Sequence, residues 1–339
     1  MHCVIIGFSF RDTTPKYIFD GKSKDSVAGI NPYLVDAPNV FIETRSMPLG
    51  NVPEMVFGSM PNDGGNLIIE ADEYKEFLRS EPKVKKYIRR FVGAEEYINN
   101  LPRYCLWLVD ATPEELRAMP LVKQRIDLVR DHRKNSKRDA TRKLAKTPSI
   151  FGEIRQPETE YILIPRVSSE RRDYIPIGFV LPKVVASDAT QIIPNATLYH
   201  FGILTSSVHM AWTRVVCGRL RTDYRYSKDI VYNNFPWAGA TDEQKKHIEA
   251  LAQSVLDARA KFPNSSLADL YDPLTMPKEL LKAHQNLDRA VMKLYKFKQD
   301  MPEPAMVAAL MEMYQKLTEQ PTMIPKEEAK KKRKRRSTM

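Results

Sequence analysis

Two incompatible periodicities divide this chain, and the change from one to the other falls just past Trp237. Upstream, short apolar runs alternate with turn residues: Asn31-Pro32-Tyr33-Leu34, Val40-Phe41-Ile42, Met47-Pro48-Leu49-Gly50, Asp63-Gly64-Gly65 and Leu67-Ile68-Ile69. Runs of that length bounded by Pro, Gly, Asn and Asp read as strands and loops. Downstream, Thr241 and Gln244 form a capping box, and Ile248, Leu251, Ala252, Val255 and Leu256 recur at helical spacing. A second helix is expected from about Pro277, with Leu280, Leu281, His284, Leu287, Val291 and Leu294 on one stripe, and a third over about 304–317. The pattern predicts an α+β chain, with a mixed-sheet region over residues 27–238 and a small helical bundle over 239–320.

Other elements can be placed within the first region. A helix is expected over about 71–80, and Arg103 to Val109 reads as a buried strand. Thr112-Pro113-Glu114-Glu115 opens a helix with a threonine cap, proline at the first position and carboxylates in the first turn. A longer helix is expected over about 121–144, strands at Tyr161–Pro165 and Tyr174–Val180, and a helix over about 206–216. His284 is expected to be a packed core histidine, since no second ligand type lies at metal spacing.

Residues 1–26 stand apart. His2 to Phe8 is an unbroken apolar run closed by Ser9, the pattern of a strand buried on both faces. Such a strand needs neighbours, and the polar residues 20–26 that follow cannot supply them. The run therefore reads as an orphan strand whose surrounding sheet is missing.

Charge is concentrated rather than spread. Lys330 to Arg336 is seven consecutive Lys and Arg residues, so most of the formal charge of +11 sits in that run and the body is only mildly basic. The tail over 321–339 is expected to be disordered. Cys3, Cys105 and Cys217 lie far apart without a C-x-x-C pair, which excludes a disulfide framework or a zinc site as the organising feature. No apolar run approaches the roughly 20 residues of a membrane span, and a cytoplasmic protein is expected.

Three basic features bear on function. From Gly218 to Ser227, read as one extended segment, Arg219, Arg221, Asp223 and Arg225 alternate onto one face and Leu220, Thr222, Tyr224 and Tyr226 onto the other. Arginine presents a fork that fits O6 and N7 of guanine, and aspartate can accept from N4 of the paired cytosine. The other reading is an amphipathic edge strand with solvated arginines. The later part of the 121–144 helix carries Arg130, Arg133, Lys134, Lys137, Arg138 and Arg142 with few carboxylates, either as a solvated face or as a polyanion contact. The loop Ser168-Ser169-Glu170-Arg171-Arg172 could also touch phosphates.

Together with Arg103-Tyr104-Cys105-Leu106-Trp107-Leu108, Tyr174-Ile175-Pro176, His209-Met210-Ala211-Trp212, Tyr232-Asn233-Asn234-Phe235-Pro236-Trp237 and Leu267-Ala268-Asp269-Leu270-Tyr271-Asp272, these motifs resemble the C-terminal part of the MmeI-like family. That family comprises adenine-specific DNA methyltransferases and combined restriction-modification enzymes. The resemblance runs from about His2 to Leu317 and implies a target-recognition domain with a C-terminal helical segment. It implies double-stranded DNA as partner, with Arg221 and Asp223 reading the base pair beside the target adenine and Arg225, with Ala189, reading the pair on its other side. Arg171, Arg172, Arg130, Arg133, Lys134, Lys137, Arg138 and Arg142 are then expected on the DNA backbone.

The same resemblance implies S-adenosylmethionine for a methyltransferase domain, but no cofactor bound by this chain. An adenine methyltransferase holds its flipped base with an Asn-Pro-Pro-Tyr/Phe segment. Asn31-Pro32-Tyr33 lacks the second proline, and Asn234-Phe235-Pro236-Trp237 has phenylalanine where the first belongs. No catalytic residue and no metal site are therefore expected. His2–Phe8 would be a late strand of the methyltransferase domain, and a separately encoded catalytic subunit docking on residues 2–8 is one expectation. A non-catalytic DNA-binding protein or relic is the other.

Overall fold

The computed structural model describes residues 4–319 apart from residues 12 and 22; the basic tail over 321–339 lies outside the described residues. An antiparallel hairpin of β1 (Lys16–Asp20) and β2 (Ser23–Val27) comes first. The main body begins with β3 (Val56–Phe57), β4 (Ile68–Ile69), α1 (Tyr74–Ser80), β5 (Ile88–Val92), α2 (Ala94–Asn99) and β6 (Tyr104–Leu106). Three helices follow, α3 (Pro113–Arg117), α4 (Pro120–Lys134) and α5 (Asp139–Lys143). Then come β7 (Tyr161–Pro165), β8 (Val167–Ser168), β9 (Gly178–Val180), β10 (Val185–Ala186) and β11 (Thr190–Pro194). Helices α6 (Leu198–Leu204) and α7 (Ser207–Val216) lead to the short strands β12 (Gly218–Leu220) and β13 (Asp223–Arg225). Four helices close the described chain: α8 (Asp242–Ala260), α9 (Leu267–Leu270), α10 (Lys278–Leu294) and α11 (Glu303–Glu319).

The sheets are mixed, as the sequence predicts. One has the order β10-β5-β6-β4, with β10 and β5 parallel and the others antiparallel. A second, β3-β11-β7-β9, is antiparallel throughout, and a third joins β12-β13-β8. Strand β7 is buried along its whole length because it serves two cores. Ile162 and Ile164 point into the largest cluster, while Tyr161 and Leu163 pack with Val92, Ala186 and Ile192 on the other face.

The largest core ignores the change of periodicity at Trp237. Ile162, Phe201, Trp212 and Phe235 share it with Ile248 of α8, Leu287 of α10 and Leu310 of α11. Gly202 shows how closely the layers meet: a Cβ there would lie 2.7 Å from a side-chain carbon of Ile248, so only glycine lets α6 approach α8. A separate cluster built on Leu67, Ile69, Val84, Leu106, Trp107, Val122 and Phe151 lies under α4 and the first sheet.

Capping explains several helix starts. Thr112, Ser206 and Thr241 each accept a hydrogen bond from the backbone N–H three residues on, and Glu115 and Gln244 return the bond in the first and third cases.

Three expectations are corrected. Val4 to Phe8 forms no strand, and Val4, Ile5 and Phe8 are 69%, 97% and 89% exposed. An apolar run fixes a strand only when a ladder partner is present, and among the described residues none pairs with it. The expected strand over Tyr174–Val180 is ordered as a strand only at Gly178–Val180. The helix expected over 121–144 ends at Lys134 and restarts at Asp139.

That break is tied to Arg133, expected on the DNA backbone but fully buried. Its Nε donates to the carbonyl of Asn62 at 2.8 Å, Nη1 to Leu144 at 3.0 Å and Thr147 at 2.7 Å, and Nη2 to Pro61 and Ile150 at 2.8 Å each. Five fixed donors meeting five carbonyls from two stretches of chain, 61–62 and 144–150, leave nothing for a phosphate. Burial pulls this guanidinium below its ordinary range.

Two histidines are also buried, each bonded through Nε2 while its Nδ1 has no partner. His209 bonds the Tyr226 hydroxyl through Nε2 at 2.9 Å, and burial pushes it down to about 3. His284 bonds the Tyr271 hydroxyl at 2.8 Å, stacks on Tyr174 and is pushed well below the histidine range, chiefly by burial.

Arg133→Met should destabilise the chain by about 3–5 kcal/mol in urea unfolding, because five buried carbonyls lose their donors together. Acid should also weaken the fold. In the unfolded chain both histidines take up protons near pH 6.5, whereas the folded ones resist to much lower pH, so the unfolded state binds more protons below that value. Stability present above pH 6.5 is thus lost as pH falls, by up to about 1.4 kcal/mol per unit for each histidine. Urea midpoints measured from pH 7 to 5 check this, and His209→Gln should reduce the slope.

Candidate nucleic-acid interface

The segment from Gly218 to Ser227 is not one extended strand. It folds into a tight hairpin in which Gly218 pairs with Arg225, Arg219 with Tyr224 and Leu220 with Asp223. Arg221 and Thr222 form the two-residue connection, and Arg221 sits at φ 59. A positive φ at the first central residue is the place glycine usually takes in such turns. Cross-strand partners share a face, so Arg219 lies with Tyr224 while Asp223 and Arg225 lie on the opposite face. The single row expected of Arg219, Arg221, Asp223 and Arg225 is thereby split.

The split separates holding from presenting. The Arg219 guanidinium stacks 4.1 Å from the centre of the Tyr224 ring. It also donates to the carbonyls of Thr222 and Arg214 at 3.1 Å each, stapling the hairpin to the end of α7. Arg221 at the tip is exposed, and its side chain has no hydrogen-bond or ion-pair partner among the described residues. The same holds for Arg225. Asp223 is half-buried between them.

Arg225 opens onto a cleft of about 330 Å³ whose lining includes Phe57, Arg166, Gln191, Tyr226 and Asp229. Arg166 stacks over Phe57 at 5.0 Å and donates to the Asp188 carbonyl at 3.0 Å. Its backbone N–H donates to the carbonyl of Ala189 at 3.4 Å, and its carbonyl accepts from the Tyr226 N–H at 2.8 Å. Ala189 is exposed on this turn, so Arg225 and Ala189 are linked through Arg166. Gln191 donates to the Tyr226 carbonyl at 3.1 Å, while its own amide oxygen is buried without a partner. Sequence reasoning missed Arg166 and Gln191; the one available signal was a charged residue directly after the apolar run Tyr161–Pro165.

The candidate backbone residues divide. Lys134, Lys137, Arg138 and Arg171 are exposed, with side chains free of partners among the described residues. Arg130 pairs with Asp127 and Arg142 with Asp139, each three residues apart, and Arg142 also donates to the Ser136 carbonyl at 2.7 Å. Arg172 is half-buried and Arg133 is buried.

Neither asparagine motif fits a methyl-transfer site. Asn31 Oδ1 accepts from the N–H groups of Tyr33 at 2.9 Å and Val35 at 3.2 Å, closing its own turn. Asn234 shares its amide hydrogens among the carbonyls of Glu43, Asp229 and Ile230, and its oxygen accepts from Arg45 Nε at 3.3 Å. Both are buried with their amides engaged by other groups of the protein, leaving no amide to hold an adenine amino group. Among the described residues no cluster of His, Cys, Asp or Glu is placed to hold a metal ion, and no helix is long and apolar enough to cross a membrane.

Comparison with known proteins agrees with this architecture. A solved structure of the Type IIL restriction-modification enzyme MmeI in complex with DNA superposes with a TM-score of 0.86 at 47% identity, over 91% of this chain and 42% of that one. DNA methyltransferase A of Bacillus subtilis (strain 168) is 39% identical over 317 residues, which is 93% of this chain and 36% of that protein. The chain thus spans well under half the length of either relative. The model of the MmeI target recognition domain matches residues 36–239 and that of the MmeI C-terminal domain residues 240–322, and the chain belongs to this MmeI family through both domains.

Proposed function

We propose that this chain reads double-stranded DNA for a site-specific N6-adenine methyltransferase of the restriction-modification type. The observation that carries the reading is the hairpin tip, where an unpartnered arginine and a half-buried aspartate stand two residues apart on a rigid frame. Arg221 donates to a guanine and Asp223 accepts from its cytosine, so the pair just 3′ of the target adenine is G·C. Arg225, at the cleft with Arg166, and Ala189, whose carbonyl the Arg166 N–H reaches, address the pair on the other side. Lys134, Lys137, Arg138 and Arg171 supply affinity that does not depend on sequence. The relatives are a DNA methyltransferase and a restriction-modification enzyme held in complex with DNA, which supports the reading.

Methyl transfer from S-adenosylmethionine belongs to a catalytic portion distinct from residues 36–322. The exposed side chains of Val4, Ile5, Ile6 and Phe8 favour such a portion packing against them, whether it lies in the same polypeptide or in a separate subunit.

Selection from a pool of randomised duplexes, followed by sequencing of the bound fraction, tests the reading. Arg221→Ala should cost about 1–3 kcal/mol on the selected site and relax preference at one position; an equal loss on every sequence would make Arg221 a phosphate contact instead. Replacing Lys134, Lys137, Arg138 and Arg171 together by glutamine should leave the preferred sequence unchanged. It should also flatten the dependence of log affinity on log salt by roughly 0.9 for each phosphate no longer neutralised.

A further inference from the structure

Arg172 lies on the loop expected to touch phosphates, yet its surroundings are those of a different task. Strand β8 pairs Ser168 with Tyr224 and Val167 with Arg225, so the loop after Ser168 leaves the sheet beside the hairpin edge that carries Asp223. Arg172 Nη1 reaches back to Ser168 Oγ at 3.4 Å, which draws the guanidinium toward that edge. The neighbouring Arg171 faces solvent, whereas Arg172 is half-buried.

Two carboxylates share its charge. Burial pulls the guanidinium down, and the fields of Asp223 and then Asp272 act against that pull. Asp223 belongs to the hairpin, and Asp272 to the loop between α9 and α10 of the helical region. Among the described residues neither makes a direct ion pair with Arg172, so the guanidinium acts on both through space.

We propose that Arg172, held at Ser168 beside the hairpin edge, is a positioning residue for Asp223: it draws the carboxylate along that edge into the direction from which it accepts from a base. This rests on the assignment of Asp223 as a base reader. Arg172 then sets specificity without touching DNA.

The test uses the full chain and the randomised duplex pool, with Asp223→Asn, Arg172→Ala, Arg172→Lys and the double variant Asp223→Asn/Arg172→Ala. Thermal melting and salt dependence are recorded for each. Asp223→Asn identifies the position it governs. Arg172→Ala should relax preference at that same position by about five- to tenfold, with an unchanged salt slope. The double variant should be no more relaxed than either single one, and Arg172→Lys should recover part of the preference. An equal loss on all sequences with a flatter salt slope would make Arg172 a phosphate contact and overturn the proposal. So would a lower melting temperature with the preference at that position intact. A wild-type chain without preference, or a preference untouched by Asp223→Asn, would instead overturn the assignment of Asp223 as reader.

Discussion

The carboxylate of Asp288, in the middle of α10, accepts from the Tyr174 hydroxyl at 2.6 Å on one oxygen and from the Ser207 N–H at 2.7 Å on the other. Burial raises its pKa, and these two donors act against the rise. Ser207 is the first residue of α7, so a side chain from the helical region satisfies a free N–H and places negative charge at that helix's N-terminus. Helix α7 runs directly into β12. At its far end Arg214 donates to Glu303 of α11 at 2.5 Å and to the Asp173 carbonyl at 3.0 Å, and its own carbonyl receives Arg219. The ten-residue helix that leads into the hairpin is therefore held at both of its ends by groups from beyond Trp237.

This linkage explains why one core crosses the change of periodicity. Tyr174 stacks on His284, His284 bonds Tyr271, and Tyr271 accepts from Arg259 Nε at 2.7 Å, while Arg259 Nη1 donates to the Ile177 carbonyl at 2.6 Å. Bonds of this kind form only at one relative placement of sheet and helices, although His284 Nδ1 is left buried without a partner. The helical region thus acts as a clamp that fixes the angle at which the hairpin leaves the body.

The parts legible in the sequence are those governed by local chemistry. Thr241 with Gln244 and Thr112 with Glu115 mark helix starts because both partners lie within one turn, and His284 reads as a core residue because it falls on an apolar stripe. The parts that were not legible depend on partners distant in sequence. Arg133 looks like one more cation on a basic helix until carbonyls from residues 61, 62, 144, 147 and 150 converge on it. The hairpin was hidden for another reason. Its turn carries Arg221-Thr222 where Asn-Gly or Gly-X would announce it, and strict alternation on both sides allows a continuous strand. What decides is the pairing of β13 with β8 and the staple from Arg219, neither of which a local pattern contains.

An arginine at positive φ costs a little stability that a glycine would not, and the cost falls at the tip, where the side chain is free. Along the hairpin, Arg219 and Tyr224 carry the frame, while Arg221, Asp223 and Arg225 project to other sides and support almost none of the packing. On the proposed reading, a substitution at Arg221 or Arg225 changes which base is read without disturbing the packing that holds the fold. Asp223 differs, because Arg172 approaches the same strand edge through Ser168. On that reading, specificity at its base pair is tied to a second position, and a change of that base requires both residues to change.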